Sequence, residues 1–314
     1  MPAVLGAVVL PVFGIVLLSY AIARLLPLPV WLTTGIQRLT FDVAVPVLLF
    51  HTMATVDLSH PIGATLFVGY YTPTLALYAL IYFATRQLGR GKALANVLAL
   101  GSTYSNAVLL GIPLTLRAFG DSAAVPLFGL VAIHSATLFF LTTRLNETAT
   151  GTVHLRTLLA DTGRRLIANP ILLGLLGGLA ANALARAVGA PLPPGLLMLT
   201  GAVRAVAPTA ALVGMGLGLA RYTLRGALAD AGLISATKLL VHPALVAAAV
   251  LLLPMPVLSA KVAILVAALP SGVNVYLFAA RFGHGEAASA GAILFTTLLS
   301  LATLSGVLWL LGNL

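Results

Sequence analysis

The 314 residues include no cysteine and only seven acidic residues, and all charged residues together make up 8% of the chain. Each shortage excludes something. Without cysteine there is no disulfide framework, thiolate metal site or nucleophilic thiol. At 8% charge the chain cannot be an ordinary soluble domain, because soluble chains carry about a quarter charged residues. The few carboxylates fall mostly at the ends of apolar runs, so no pair is placed for acid–base catalysis. HExxH, GxSxG and Walker A patterns are absent as well. The run GMGLGLA (214–220) follows no strand; it reads as small residues for close helix packing, not as a phosphate loop. No enzyme, metal or cofactor is expected.

What is present is apolar surface. Hydrophobic residues make up 60% of the chain and mean hydropathy is +1.09, so lipid is the expected solvent for most of it. The net charge of +10 fits basic loops that hold a polytopic protein in one orientation better than a nucleic-acid partner. The first 29 residues lack a basic leader region, and their apolar run is longer than that of a signal peptide. They read as a first, uncleaved span.

A spanning helix needs about 20 apolar residues. Cutting at charged and Pro/Gly-rich breaks gives ten spans, near 4–24, 36–56, 62–85, 93–116, 122–143, 166–186, 196–219, 227–253, 257–280 and 287–311. Twelve basic residues fall on one side: Arg24, Arg38, Arg86, Arg90, Lys92, Arg144, Arg156, Arg164, Arg165, Arg221, Arg225 and Arg281. Only Arg117, Arg186 and Lys261 fall on the other. The positive-inside rule puts the twelve in the cytoplasm and both termini outside an inner (plasma) membrane. The sequon at Asn146 would then face the cytoplasm and has no weight as a glycan site.

The expected fold is an all-α polytopic membrane protein with a first five-helix repeat (1–145), a short connector (146–165) and a second five-helix repeat (166–314). Weak echoes relate the halves: Pro46 and Met53 to Pro208 and Met215, Pro73 to Pro243, and AFG (118–120) to RFG (281–283). With an odd number of spans per half the second copy must be inverted, as in many secondary transporters. Such carriers bind near the midplane at discontinuous helices. GSTYSNAVLLGIPL (101–114) and LPSGVNVYLFAARFG (269–283) supply candidate breaks. Gly111 and Pro113 are expected to unwind span four. Pro270 is expected to open a new half-helix, with the N–H groups of Ser271, Gly272 and Val273 free for an anion.

SNAVLLGIPL (105–114), LPSGVNVYLFAARFG (269–283) and VPVLLF (45–50) resemble the paired crossovers and second span of the auxin efflux carrier family. The resemblance covers essentially the whole chain. It implies a scaffold of spans 1, 2, 6 and 7, often dimeric, and a transport domain of spans 3–5 and 8–10 that moves like an elevator. It implies an anionic substrate at the crossover, with Asn106 and Asn274 matching the family's crossover asparagines. The central loop here is short, so regulation through a long loop does not transfer.

Several polar residues therefore stand out. Asn106 and Asn274 can donate to a carboxylate, or can serve only the broken backbone. Tyr104, Ser105, Ser271 and Gly272 are their neighbours. Asp42 and Arg204 share a repeat position, and either reach for headgroups or line a vestibule. Lys238 lies deep in span eight, with His242 one turn along, and these are candidates for coupling or charge balance. His51 and His134 read first as packing histidines. The expected function is a secondary carrier of small carboxylate or indole-type anions. The alternative is a sodium-coupled symporter of the bile-acid type.

Overall fold

In the computed structural model the described residues are mostly helical, with no strand among them. The structure describes residues 5–57, 63–150, 163, 168–222 and 226–312. Among the described residues seven helical stretches are long and apolar enough to cross a membrane: Gly6–Leu25, Ala64–Gln87, Asp121–Asn146, Pro170–Val188, Pro194–Leu219, Leu228–Leu251 and Glu286–Gly312. The remaining expected spans are composites of shorter helices.

In chain order the α-helices are α1 (Leu10–Leu25), α2 (Val30–Leu39), α3 (Val45–Thr55), α4 (Ala64–Gln87), α5 (Lys92–Thr103), α6 (Ile112–Phe119) and α7 (Ala124–Thr150). They continue as α8 (Pro170–Val188), α9 (Pro194–Leu219), α10 (Leu228–Ala236), α11 (His242–Leu251), α12 (Val257–Ala268), α13 (Asn274–Phe282) and α14 (Glu286–Gly312). Helix α7 runs to Thr150, into the region expected as connector. The rest of 146–165, apart from Gly163, lies outside the described residues, as do Arg156, Arg164, Arg165 and Arg225.

Among the described residues four five-residue π-turns interrupt the helices: Leu5–Val9, Thr40–Ala44, Ala107–Gly111 and Thr237–Val241. Each leads into a helix whose second residue is proline: Pro11, Pro46, Pro113 and Pro243. In three of them a bond spans five residues: Val45 N–H to Thr40 O, Gly111 N–H to Asn106 O and His242 N–H to Thr237 O. The wide turn changes the ladder's register just where proline cannot donate, so the helix passes the proline without breaking. This corrects the expectation for span four. Gly111 closes a π-turn and Pro113 sits in the first turn of α6, while the interruption itself lies upstream at Tyr104–Asn106.

Helices α1, α3, α8 and α9 pack together through small residues. A side chain at Gly174 or Gly178 of α8 would strike the backbone of Pro46 or Phe50 in α3, and one at Gly216 of α9 would strike Val16 of α1. Backbones meet directly there, the packing that lipid-embedded helices favour. Asn182 locks the seam by donating to Met53 O and Val56 O at 2.9 Å each. A second group of helices is tied by buried polar side chains. Tyr78 of α4 donates to Asn96 Oδ1 of α5 and contacts Thr142 Oγ1 of α7 at 2.9 Å, and Thr237 reaches Ser102 Oγ at 2.7 Å.

Candidate functional site

Helix α5 stops at Thr103 and α12 at Ala268, and the chain beyond each is extended. The two extended segments meet. Asn106 N–H donates to Pro270 O at 2.9 Å, Gly272 N–H donates to Tyr104 O at 3.0 Å, and Ser105 stands opposite Ser271 in an antiparallel bridge. Neighbouring helices satisfy more of the exposed backbone, as burial requires. Ser105 N–H donates to His134 Nε2 of α7 at 3.1 Å, and Ser271 N–H to Thr296 Oγ1 of α14 at 3.1 Å.

Pro270 lies in the interruption but does not begin the half-helix. Helix α13 starts at Asn274, and the Ser271 and Gly272 N–H groups are already bonded. The N–H groups with no acceptor among the described residues are instead Val108 and Leu109, entering the first half-helix, and Val273 and Asn274, entering the second. Both sets sit at positive ends of helix dipoles.

They border one cavity of about 690 Å³. Tyr104, Ser105, Asn106 and Gly272, Val273, Asn274 all line it. Among the described residues the Asn106 amide has only a 3.6 Å contact with Met215 Sδ, so its donors are nearly unspent. Asn274 donates to the Tyr104 hydroxyl at 2.8 Å, which also meets Ser135 Oγ at 2.6 Å. Aromatic rings continue outward from the crossover: Tyr104 stacks on Phe139 at 5.2 Å, Phe139 on Phe278 at 5.9 Å, and Phe278 meets Phe282 at 4.6 Å. Arg281 lies over the Phe282 ring at 5.7 Å, and it is the one charged side chain among the described residues that line the cavity.

A family model described as a membrane transport protein matches residues 4–308. The chain belongs to this family, that of the auxin efflux carriers. A Rhizobium meliloti (strain 1021) protein named "Putative malonate transporter" is 31% identical over 312 residues, which cover 97% of this chain and 95% of that one. This family member is accordingly a multi-pass membrane protein of the transporter class.

Five of the six expected binding residues reach the cavity: Asn106, Asn274, Tyr104, Ser105 and Gly272. Ser271 does not, because it is fully buried and its hydroxyl donates to Gly101 O at 2.7 Å. Lys238 and His242 are fully buried behind the crossover and touch each other at 3.2 Å. Asp42 is exposed in a π-turn. Arg204 pairs with Asp121 at 2.5 Å, linking α9 to the turn before α7. His51 has a packing partner, Thr200 Oγ1 at 2.8 Å. His134 does more than pack, since it holds the bridge and lines the cavity. Sequence reasoning missed Phe139, Phe278 and Arg281. The helical spacing of Asn274, Phe278 and Arg281 on one face was the available signal.

Proposed function

We propose that the protein is a secondary carrier of small organic anions, carboxylate or indole-type, held at the crossover. The observation that carries this is the convergence of two half-helix N-termini, with unspent backbone donors and the Asn106 amide, on a single cavity. An anionic oxygen there gains charge-assisted hydrogen bonds and two favourable dipole ends. Irregular backbone at membrane depth is tolerable where it lines such a cavity. The relative's name makes malonate the first substrate to try.

In this reading the chain crosses the membrane ten times as two inverted five-helix repeats, with both termini outside. Helices α1–α3, α8 and α9 form the scaffold through which two copies pair. Helices α4–α7 and α10–α14 form the moving unit of an elevator. Phe41, Thr143, Asn169 and Arg281, which line the cavity, belong to segment ends on the strongly basic side, so the form described opens to the cytoplasm. Arg204–Asp121 and the bond from Arg117 Nε to Ala7 O at 2.7 Å join the two units on the opposite side. No observation favours the sodium-coupled alternative over this one.

The test is uptake into proteoliposomes across monocarboxylates, dicarboxylates including malonate, and indole acids, with Asn106→Ala as control. Saturable uptake of one class, lost in the variant, supports the proposal. No uptake of any anion by wild-type protein of verified fold overturns it.

A further inference from the structure

Among the described residues Lys238 is the charged one most deeply withdrawn from solvent. It sits in the π-turn before α11, and none of its surface is exposed. Its Nζ lies 2.5 Å from Ala267 O and 3.2 Å from His242 Nδ1. Ala267 is in the last turn of α12, so the amine caps one carbonyl at the end of that half-helix. No carboxylate among the described residues comes within ion-pair distance of Nζ.

Thr74 Oγ1 gives its only hydrogen to Tyr70 O at 2.6 Å. With that hydrogen placed on Tyr70 O, the 2.9 Å contact with His242 Nε2 is read as a donation from the ring. A neutral His242 then carries its proton on Nε2 and presents a lone pair at Nδ1 to Lys238. Lys238 thus faces two acceptors. An uncharged amine has two N–H groups and is fully satisfied. An ammonium has three, leaving one buried donor without a partner and a charge without a counter-charge, a costly combination in an interior.

The pair is wired to the crossover. Tyr70, whose carbonyl anchors Thr74, places its hydroxyl 3.3 Å from Ser105 Oγ in the bridge. Ala267 precedes Pro270 by three residues on the other strand of the bridge. The Tyr70 ring lies 5.9 Å from both His242 and His134. Among the described residues the titratable groups facing the pair are Tyr70 of α4 and His134 of α7, neither of them a carboxylate. An anion bound at the half-helix ends would supply the missing negative charge.

We propose that Lys238 and His242 form a proton site, with Lys238 uncharged in the empty carrier and protonated as the anion binds, so that substrate and proton travel together. The proton comes from the bulk solution on the side the anion enters and adds to the Nζ lone pair as its third N–H bond. It is released when the anion leaves. This rests on the carrier function proposed above.

The chain has only three lysines, Lys92, Lys238 and Lys261. Protein labelled with ¹⁵N at lysine Nζ therefore gives three side-chain signals, and Lys238→Met identifies the one from Lys238. If that variant fails to fold, Lys92→Arg and Lys261→Arg assign the same signal by elimination. The expected result at neutral pH is a neutral-amine signal for Lys238 in the empty protein, converting to ammonium on saturation with malonate. Calorimetry on the same sample measures malonate binding itself. An ammonium signal in the empty protein overturns the proposal, and so does a neutral signal unchanged by calorimetrically verified malonate. Absence of calorimetric binding counts against malonate as substrate, and the empty-protein signal still decides the resting state of the pair.

Discussion

At Gly272 the two crossing segments leave no room for a side chain. A methyl group added there would lie 2.7 and 2.8 Å from two ring carbons of Tyr104 and 3.3 Å from Ser105 O. The ring cannot swing aside. Phe139 stacks on it at 5.2 Å, and its hydroxyl is held by Ser135 at 2.6 Å and Asn274 at 2.8 Å. In Gly272→Ala the two extended segments must therefore part, straining the Gly272 N–H to Tyr104 O bond. Overpacking of this kind costs about 1–3 kcal/mol, which corresponds to about 5- to 150-fold weaker anion binding when it falls on the binding conformation. Gly111→Ala is the matched control. Its new methyl would approach a leucine tip, Leu269 Cδ1 at 2.7 Å, which can rotate away. Alanine also favours helix over glycine by about 1 kcal/mol, offsetting any residual contact. The assay is equilibrium binding of radiolabelled malonate, with thermal stability in detergent measured alongside. Wild-type affinity in Gly272→Ala, or equal damage in Gly111→Ala, would refute the argument.

Asn106→Ala should weaken binding more than Asn274→Ala. The first removes nearly unspent donors, with hydrogen bonds to a charged group worth about 1.5–3 kcal/mol, whereas the second mainly frees Tyr104 from a neutral bond worth about 0.5–1.5 kcal/mol. The reverse order in a titration would sink the assignment of donors. Uptake driven by substrate gradient alone should be the same in sodium-free and sodium-containing buffer. Sodium wants several hard oxygen ligands, and the deep polar cluster holds an amine in place of a carboxylate. Collapse of uptake without sodium would revive the symporter alternative. In Asp121→Asn the balance between inward- and outward-open forms should move by no more than about fivefold, because Asp121 is 70% exposed and such pairs are worth about 1 kcal/mol or less. Labelling of a single cysteine at Thr143, in a chain with no other thiol, measures the shift, and a larger one would show the pair to be a stronger latch.

The crossover was legible because its residues are out of place. Ser105, Asn106 and Asn274 have no reason to interrupt apolar runs unless they face something polar. The exact point of interruption was not legible. Gly111 and Pro113 carry the strongest helix-breaking signal in span four, yet a π-turn absorbs them, and the break falls at Tyr104–Asn106, where the residues have no such reputation. What holds the break open is a partner 166 residues away, Ser271 opposite Ser105, and no local pattern encodes that pairing. Ser271 looked like its neighbours but turns inward to Gly101. Phe139 and Phe278 were invisible for the opposite reason, since an aromatic residue in an apolar helix is the default. Arg281 was counted with the orienting charges of its loop, a role that does not exclude lining the cavity.

The four π-turns also set the rotational phase of the helices that contain them. Each residue of an α-helix advances the face by about 100°, so one additional residue in a turn rotates everything downstream by that angle. Asp42 and Lys238 both lie inside such turns. A helical wheel drawn straight through Thr40–Ala44 or Thr237–Val241 therefore assigns Pro46, His51 and His242 to the wrong azimuth. When related sequences are aligned, a one-residue gap at any of these four places would mark a change in which way a helix looks, not a change in its length.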